Sequence, residues 1–332
     1  MNNNEITCQR RKTSIGGQAL MEGIMMRGPK KSTMAVRRPN GEMVLEDADI
    51  KPMFKGPIVK IPIIRGMFNF IDSMRIGYSC LMRSADISAL EEIRNESAPD
   101  TDGMSEEEAK AAKEKQQKKD NLLMGGLMII ASVLAVALCL GLFFYLPSLL
   151  YNLTLGRIEA LKSNAFVKSL FEGVLKIALF IGYMALVSLM NDIKRTFMYH
   201  GAEHKTIFCY ESGLPLTVEN VRKQSRFHPR CGTSFLILML IVGVFIGMLI
   251  PTWFNPLLRT VVRLLLLPLT MGIGYELIKI AGKHDNVFIR IISAPGLWLQ
   301  RISTREPTDD MIECAIAAIE SVIPDDGSDI IK

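Results

Sequence analysis

The chain is poor in the residues that enzymatic sites and disulfide scaffolds most often use. Only four histidines and two tryptophans occur in its 332 residues. Six cysteines stand at irregular positions, which argues against a disulfide framework. The first 60 residues are basic and polar without a leading apolar core, so no signal peptide is expected. Net charge is only +5, and the basic residues sit beside apolar runs. Topology and anionic lipid explain such residues better than nucleic acid does. Charge is missing altogether from Asn121 to Gly156, whose core Leu122 to Leu146 exceeds the ~20 residues that cross a bilayer.

With 49% hydrophobic residues and a positive mean hydropathy, the expected class is an α-helical integral membrane protein. About four transmembrane helices are expected, with a small N-terminal β-rich cytosolic unit and a C-terminal amphipathic helix. Residues 1–14 read as a loose tail. Residues 15–65 read as the β-rich unit, where Asn40-Gly41 suits a tight hairpin turn needing positive φ. Residues 66–95 mix Phe68, Ile71, Met74 and Leu81 with Arg75 and Arg83, the pattern of an amphipathic helix on the membrane surface or under the β unit. Residues 96–120 are a charged linker.

Residues 121–282 hold the four spans: Leu122–Leu146, Val167–Asn191, Gly232–Leu258 and Val261–Ile280. Glu172 and Lys176, at i,i+4 spacing, are expected to pair at a membrane edge, and Thr233 or Ser234 to cap the third span. Lys and Arg are dense before the first span and between the second and third, and sparse between the third and fourth. That alternation puts both termini and the connection 192–231 in the cytosol. The tail 283–332 contains short interfacial stretches around Trp298, a helix opening at Thr308 with Ile312, Ala315, Ile316 and Ile319 on one stripe, and a solvated acidic end.

The scarce histidines are concentrated. Tyr199–Phe235 holds three of the four, in the words HGAEHK and HPRCGTSF. His200, Glu203 and His204 form H-x-x-E-H, which on a helix puts all three on one face. Two imidazoles a turn apart can grip a metal, and the intervening carboxylate can take a proton from water that the metal activates. Nothing obvious breaks the helix between Asn191 and Gly201, so the second span is expected to continue into the cytosol with these residues on it. Asp192 and Thr196 would then orient His200.

A catalytic zinc takes three protein ligands and keeps one position open. His200 and His204 supply two, and His228, Cys231 or Glu276 the third. Glu203 is the expected general base, and Lys205 or Arg230 the stabiliser of a developing oxyanion. Two plainer readings stand beside this one. His200, His204, His228 and Cys231 can form a closed structural zinc site, or the histidines can simply hydrogen-bond near the membrane surface.

The segments GGQALMEGIMMRGP, HGAEHK, LTVENVR to HPRCGTSF, YELIK and APGLWLQRISTREPTDDMIE closely resemble the YqhQ-like family of bacterial membrane proteins. The likeness covers nearly all of the chain outside the lysine-rich linker. It implies a bacterial inner-membrane location. The family is a domain of unknown function, described as predicted metal-dependent enzymes, and the matching positions are His200, Glu203, His204, His228 and Cys231. The expected function is a zinc-type hydrolase at the cytosolic face, acting on a membrane-bound peptide or a lipid-derived substrate. The competing reading is a non-enzymatic scaffold or assembly factor that docks a protein partner through its N-terminal unit.

Overall fold

The computed structural model describes residues 11–48, 53–54, 56–57, 59, 61–96, 126–127, 129–162, 164–283 and 286–331. The expected linker lies almost wholly outside these residues. Four strands, β1 (Gly16–Leu20), β2 (Gly23–Arg27), β3 (Ser32–Arg37) and β4 (Met43–Ala48), form an antiparallel meander in sequence order. Gly41, at φ 87°, turns β3 into β4, as Asn40-Gly41 implied. Both faces of the sheet are covered, which the period of two makes visible in its side chains. Ile24, Met26 and Ala35 join one buried cluster, while Leu20, Met25, Met34 and Val36 join a second.

The second face packs on α1 (Ile64–Glu96) through Ile76, Cys80 and Ile87. This long helix also leans on a later one, so it ties the sheet to the apolar helices. Those are α2 (Ile129–Leu153), α4 (Ala165–Val187), α7 (Gly232–Met248) and α8 (Pro256–Lys283); a short α3 (Glu159–Lys162) separates the first two. Three helices are long and apolar enough to cross a membrane: Ile129–Leu153, Ala165–Val187 and Pro256–Ile280. The expected third span is shorter than the sequence implied: α7 has 17 residues and stops at Met248, ahead of Pro251. Its cap is Cys231, whose sulfur accepts from the Thr233 amide; neither Thr233 nor Ser234 fills that role.

The helix expected to run unbroken from the second span is two helices. Between α4 and α5 (Asn191–Glu211) the chain turns, with Met190 extended at φ −69°, ψ 136°. No proline or glycine marks this break; it is supported from far away. The Arg305 guanidinium donates to the Ser188 carbonyl at 3.1 Å, satisfying one of the acceptors that a helix end exposes. Gly213, at φ 64°, ends α5, and Thr217 caps α6 (Val218–Arg222) by accepting from the Asn220 amide.

The stretches around Trp298 form one helix, α9 (Val287–Ser303), packed on α7. A Cβ on Gly296 would lie 2.4 Å from Ser234 Oγ, so this crossing requires glycine. The final helix, α10 (Asp309–Glu320), buries Met311, Ile312, Ala315 and Ile319 against α5 and the first face of the sheet. At roughly 1.5–3 kcal/mol for each fully buried large apolar side chain, this stripe anchors the C-terminal region.

Two expected tails are in part ordered structure. Thr13 bridges to Ile330, its hydroxyl donates to Asp329 at 2.7 Å, and Tyr210 donates to the same carboxylate at 2.9 Å. Asp329 is thus buried, not solvated, because hydroxyl donors replace its water.

The strand of chain after α9 crosses α5 at Gly201, where a Cβ would lie 2.0 Å from the Arg305 carbonyl oxygen. Gly201→Ala is therefore expected to destabilise the fold by about 1–3 kcal/mol, as overpacking does, despite alanine's better helix propensity. Thermal unfolding of the purified variant measures it, and an unchanged midpoint would refute the crossing.

Candidate metal centre

The helix α5 carries His200, Glu203 and His204 on one face, as the spacing required. Opposite them the chain turns through His228–Pro229–Arg230 and enters α7 at Cys231. The ligand atoms of His200, His204 and Cys231 all lie within 4.8 Å of one another. His200 Nε2 is 3.0 Å from Cys231 Sγ, and the rings of His200 and His204 are 4.4 Å apart at their centres.

Both imidazoles are held by backbone. His200 Nδ1 donates to the Ser303 carbonyl at 2.8 Å, and His204 Nδ1 to the Arg226 carbonyl at 2.6 Å. A carbonyl only accepts, so each Nδ1 must carry the proton and each Nε2 faces the centre. This is the outer-shell arrangement that metal-binding histidines use. His204 Nε2 is buried and has no hydrogen-bond partner among the described residues.

Electrostatics agree with the geometry. Burial by itself would lower the His200 pKa, but the facing Cys231 sulfur and the Glu203 carboxylate reverse this and raise it to about 9. Burial would raise the Cys231 thiol, yet His200 and His204 beside it hold it well below the usual thiol value. The sulfur also sits at the N-terminus of α7, where amide donors and the helix dipole favour a thiolate.

Glu203 is 6% exposed, and burial pushes its carboxyl pKa up against the opposing pull of the two histidines. Gly17 of β1 lies against the carboxyl, whereas Oε2 has no hydrogen-bond partner among the described residues. A Cβ on Gly17 would stand 3.0 Å from the Glu203 carboxyl carbon and 2.8 Å from the Met25 carbonyl oxygen. Glycine is what lets β1 approach that closely.

The other candidates are placed elsewhere. His228 lies beside the cluster, its ring 5.5 Å from that of His204, but outside the ligating group. Its Nδ1 accepts from the Arg230 amide at 3.3 Å and its Nε2 faces Glu211 at 3.8 Å. Glu276 sits on α8 and is bound by Arg65 of α1, with Nε to Oε1 at 2.7 Å, so it anchors α1 to the apolar helices. Lys205 donates to the Arg222 carbonyl at 2.9 Å and pairs with Glu306 at 2.8 Å. Arg230 is shared between the Thr13 carbonyl and Glu211. Both cations use their donors as clamps away from the cluster. Asp192 and Thr196 likewise do not orient His200: the Thr196 hydroxyl bonds the Asp192 carbonyl, and Ser303 does the orienting.

Spacing gave no sign of Ser303, Arg226, Gln300 or Gly17, because three of them act through backbone and none is within a helical turn of the residue it contacts. Gln300 is the most informative. Fully buried on α9, it accepts the His228 amide at 2.7 Å and donates to the His228 carbonyl at 2.7 Å, pairing with that backbone as a neighbouring strand would. It thereby fixes the corner that delivers Cys231.

The family model described as "Protein of unknown function (DUF1385)" matches residues 61–325. The chain belongs to this family. It is also similar to "Uncharacterized protein YqhQ" of Bacillus subtilis (strain 168), 36% identical over 313 residues that cover 93% of this chain and 92% of the relative. No solved structure matches. The relative's coverage takes in most of the N-terminal sheet, including ground that the family model leaves out.

Gln300→Leu keeps the volume but strands the amide and carbonyl of His228. A loss on the order of 2 kcal/mol is expected from two buried groups left without partners. Denaturant unfolding gives the magnitude; a change within experimental error would mean that the corner is held by other contacts.

Proposed function

We propose that this chain is a metal-dependent hydrolase of the bacterial inner membrane, with its site at the cytosolic face. The observation that carries the reading is the convergence of three ligand atoms from two distant segments within 4.8 Å. One of the three, His204 Nε2, is buried without a hydrogen-bond partner among the described residues, and so is the neighbouring Glu203 Oε2. Unsatisfied buried polar atoms are costly, and here two of them border one centre. The donor set suits zinc. Bonds of about 2.3 Å to sulfur and about 2.05 Å to nitrogen put tetrahedral S and N ligands roughly 3.5 Å apart, within small side-chain shifts of the separations seen here. Three protein ligands leave one position for water or substrate.

A zinc-type divalent ion would supply Lewis acidity, polarising a scissile carbonyl and acidifying water. His200, His204 and Cys231 would hold it. Glu203, with its raised pKa and open Oε2, is placed to accept a proton from the attacking water and return it to the leaving group. Gly17 lets β1 lie against that carboxylate. The alternation of Lys and Arg among the connections supports a cytosolic site, four spans and cytosolic termini, with α7 as the short span. A site at the bilayer surface suits a membrane-bound peptide or a lipid-derived substrate.

A second reading has one observation of its own. Cys231 Sγ at 3.0 Å from His200 Nε2 is also the geometry of a cysteine nucleophile with its histidine base. That reading leaves His204 Nε2 and Glu203 Oε2 without a task, so the metal reading accounts for more of the site. A scaffold with a structural metal would need no aimed carboxylate.

Elemental analysis of the purified chain should find about one zinc-type ion, lost in His204→Ala and retained in Glu203→Gln. Glu203→Gln should nonetheless fail to complement a strain lacking the protein. Zinc loading should also shield Cys231 from iodoacetamide, read by peptide mass spectrometry. Absence of metal with rapid alkylation of Cys231 would favour the thiol nucleophile, and full complementation by Glu203→Gln would remove the hydrolase.

A further inference from the structure

The far end of the apolar helices holds a second assembly of charge, unconnected with the histidines. Gly247, beside Ser169 and Arg263, is roughly 24 Å along the α7 axis from Cys231 at about 1.5 Å per residue. Glu172, which spacing would pair with Lys176, is held by Arg263 and Arg259. Arg259 is fully buried and donates through one nitrogen to the carbonyls of Ile250 at 3.0 Å and Pro251 at 2.7 Å, closing the end of α7. Lys168 donates to Asn152 at 3.1 Å. Four cations, Lys168, Lys176, Arg259 and Arg263, therefore gather around one carboxylate.

That excess is not dispersed into water. Arg263 is buried, and its second terminal nitrogen has no hydrogen-bond partner among the described residues. Lys176 Nζ has no hydrogen bond among the described residues and lies 5.1 Å from the centre of the Phe144 ring. Arg263, Lys176 and Glu172 all line one end of a cleft of about 390 Å³ between α2, α4, α7 and α8. Its remaining wall is almost wholly apolar, including Phe144, Phe180, Leu240 and Val244. Around it the helices turn apolar side chains outward, Phe245 and Leu265 among them.

We propose that this cleft binds an anionic phospholipid of the surrounding bilayer. The phosphate meets Arg263 and Lys176, and an acyl chain lies along the aromatic and branched wall. Charge complementarity selects the occupant: buried cations in excess need an anion, and an apolar cleft opening among outward apolar residues admits one that carries a hydrocarbon chain. Arg263 offers the planar fork that phosphate oxygens accept, and Lys176 a point charge beside it. The proposal rests on the membrane placement proposed above, but not on the metal or on hydrolysis.

Native mass spectrometry of the full chain, released from vesicles of equal phosphatidylglycerol and phosphatidylcholine, tests it. Selective retention of about one phosphatidylglycerol is expected. Lys176→Met leaves the Glu172 cluster intact and should reduce that retention at least tenfold. Gly243→Phe provides an independent check, because a Cβ at Gly243 meets nothing within 4 Å and the added ring fills the cleft without a backbone clash. It should exclude the lipid while unfolding at the wild-type temperature. Equal retention of the two lipids, or undiminished retention in both variants, would overturn the site. Recovery of the chain in buffer without detergent or vesicles would instead overturn the membrane placement on which it stands.

Discussion

Two hydrogen bonds from imidazole Nδ1 to backbone carbonyls govern this structure. The Ser303 carbonyl accepts from His200 Nδ1 and the Arg226 carbonyl from His204 Nδ1, and each carbonyl comes from outside α5. A ring whose Nδ1–H is committed must turn Nε2 the other way, so the two bonds together aim both bases at Cys231. The remaining architecture can be understood as the means of delivering those carbonyls. The helix α9 brings Ser303 and, through Gln300, fixes the corner before α7. Arg305 and Gly201 let the following chain lie directly on α5.

The sheet and the C-terminal helix have a less obvious part in the same task. Packed on α5 from one side, they form the larger of the two buried apolar clusters among the described residues, and β1 brings Gly17 against the Glu203 carboxyl. The N-terminal unit is therefore a wall of the centre as well as a domain attached to it. Glu211 and Arg230 continue this logic, tying the end of α5 to Thr13 and to the turn at His228. Residues that looked like chemistry in the sequence are often such ties, because a cation buried beside a reactive centre must itself be neutralised by a fixed partner.

Polar groups thus gather at both ends of the apolar helices. At one end lie two imidazoles, a cysteine sulfur and a carboxylate; at the other, an excess of buried cations around Glu172. The first arrangement suits a cation and the second an anion. Apolar helices separate them, so each is set by its own neighbours.

Periodicity in the sequence determined a good deal by itself. The H-x-x-E-H face of α5, the hairpin at Gly41, the stripe of α10 and the apolar runs of α2, α4 and α8 follow from patterns within a few turns of chain, where local geometry leaves little choice. What lay beyond reach was every feature that depends on distant segments meeting. The break after Ser188 depends on Arg305, the ordering of Thr13 on Asp329, and the gathering of Cys231 with His200 and His204, in place of His228 or Glu276, on whether a competing partner had already claimed each side chain. Glu276 met Arg65 and His228 met Glu211, whereas the Cys231 sulfur was left facing His200. A sequence lists the groups that can bind; only the folded chain decides which remain free to do so, because hydrogen-bonding capacity is used up by whichever partner tertiary packing brings first.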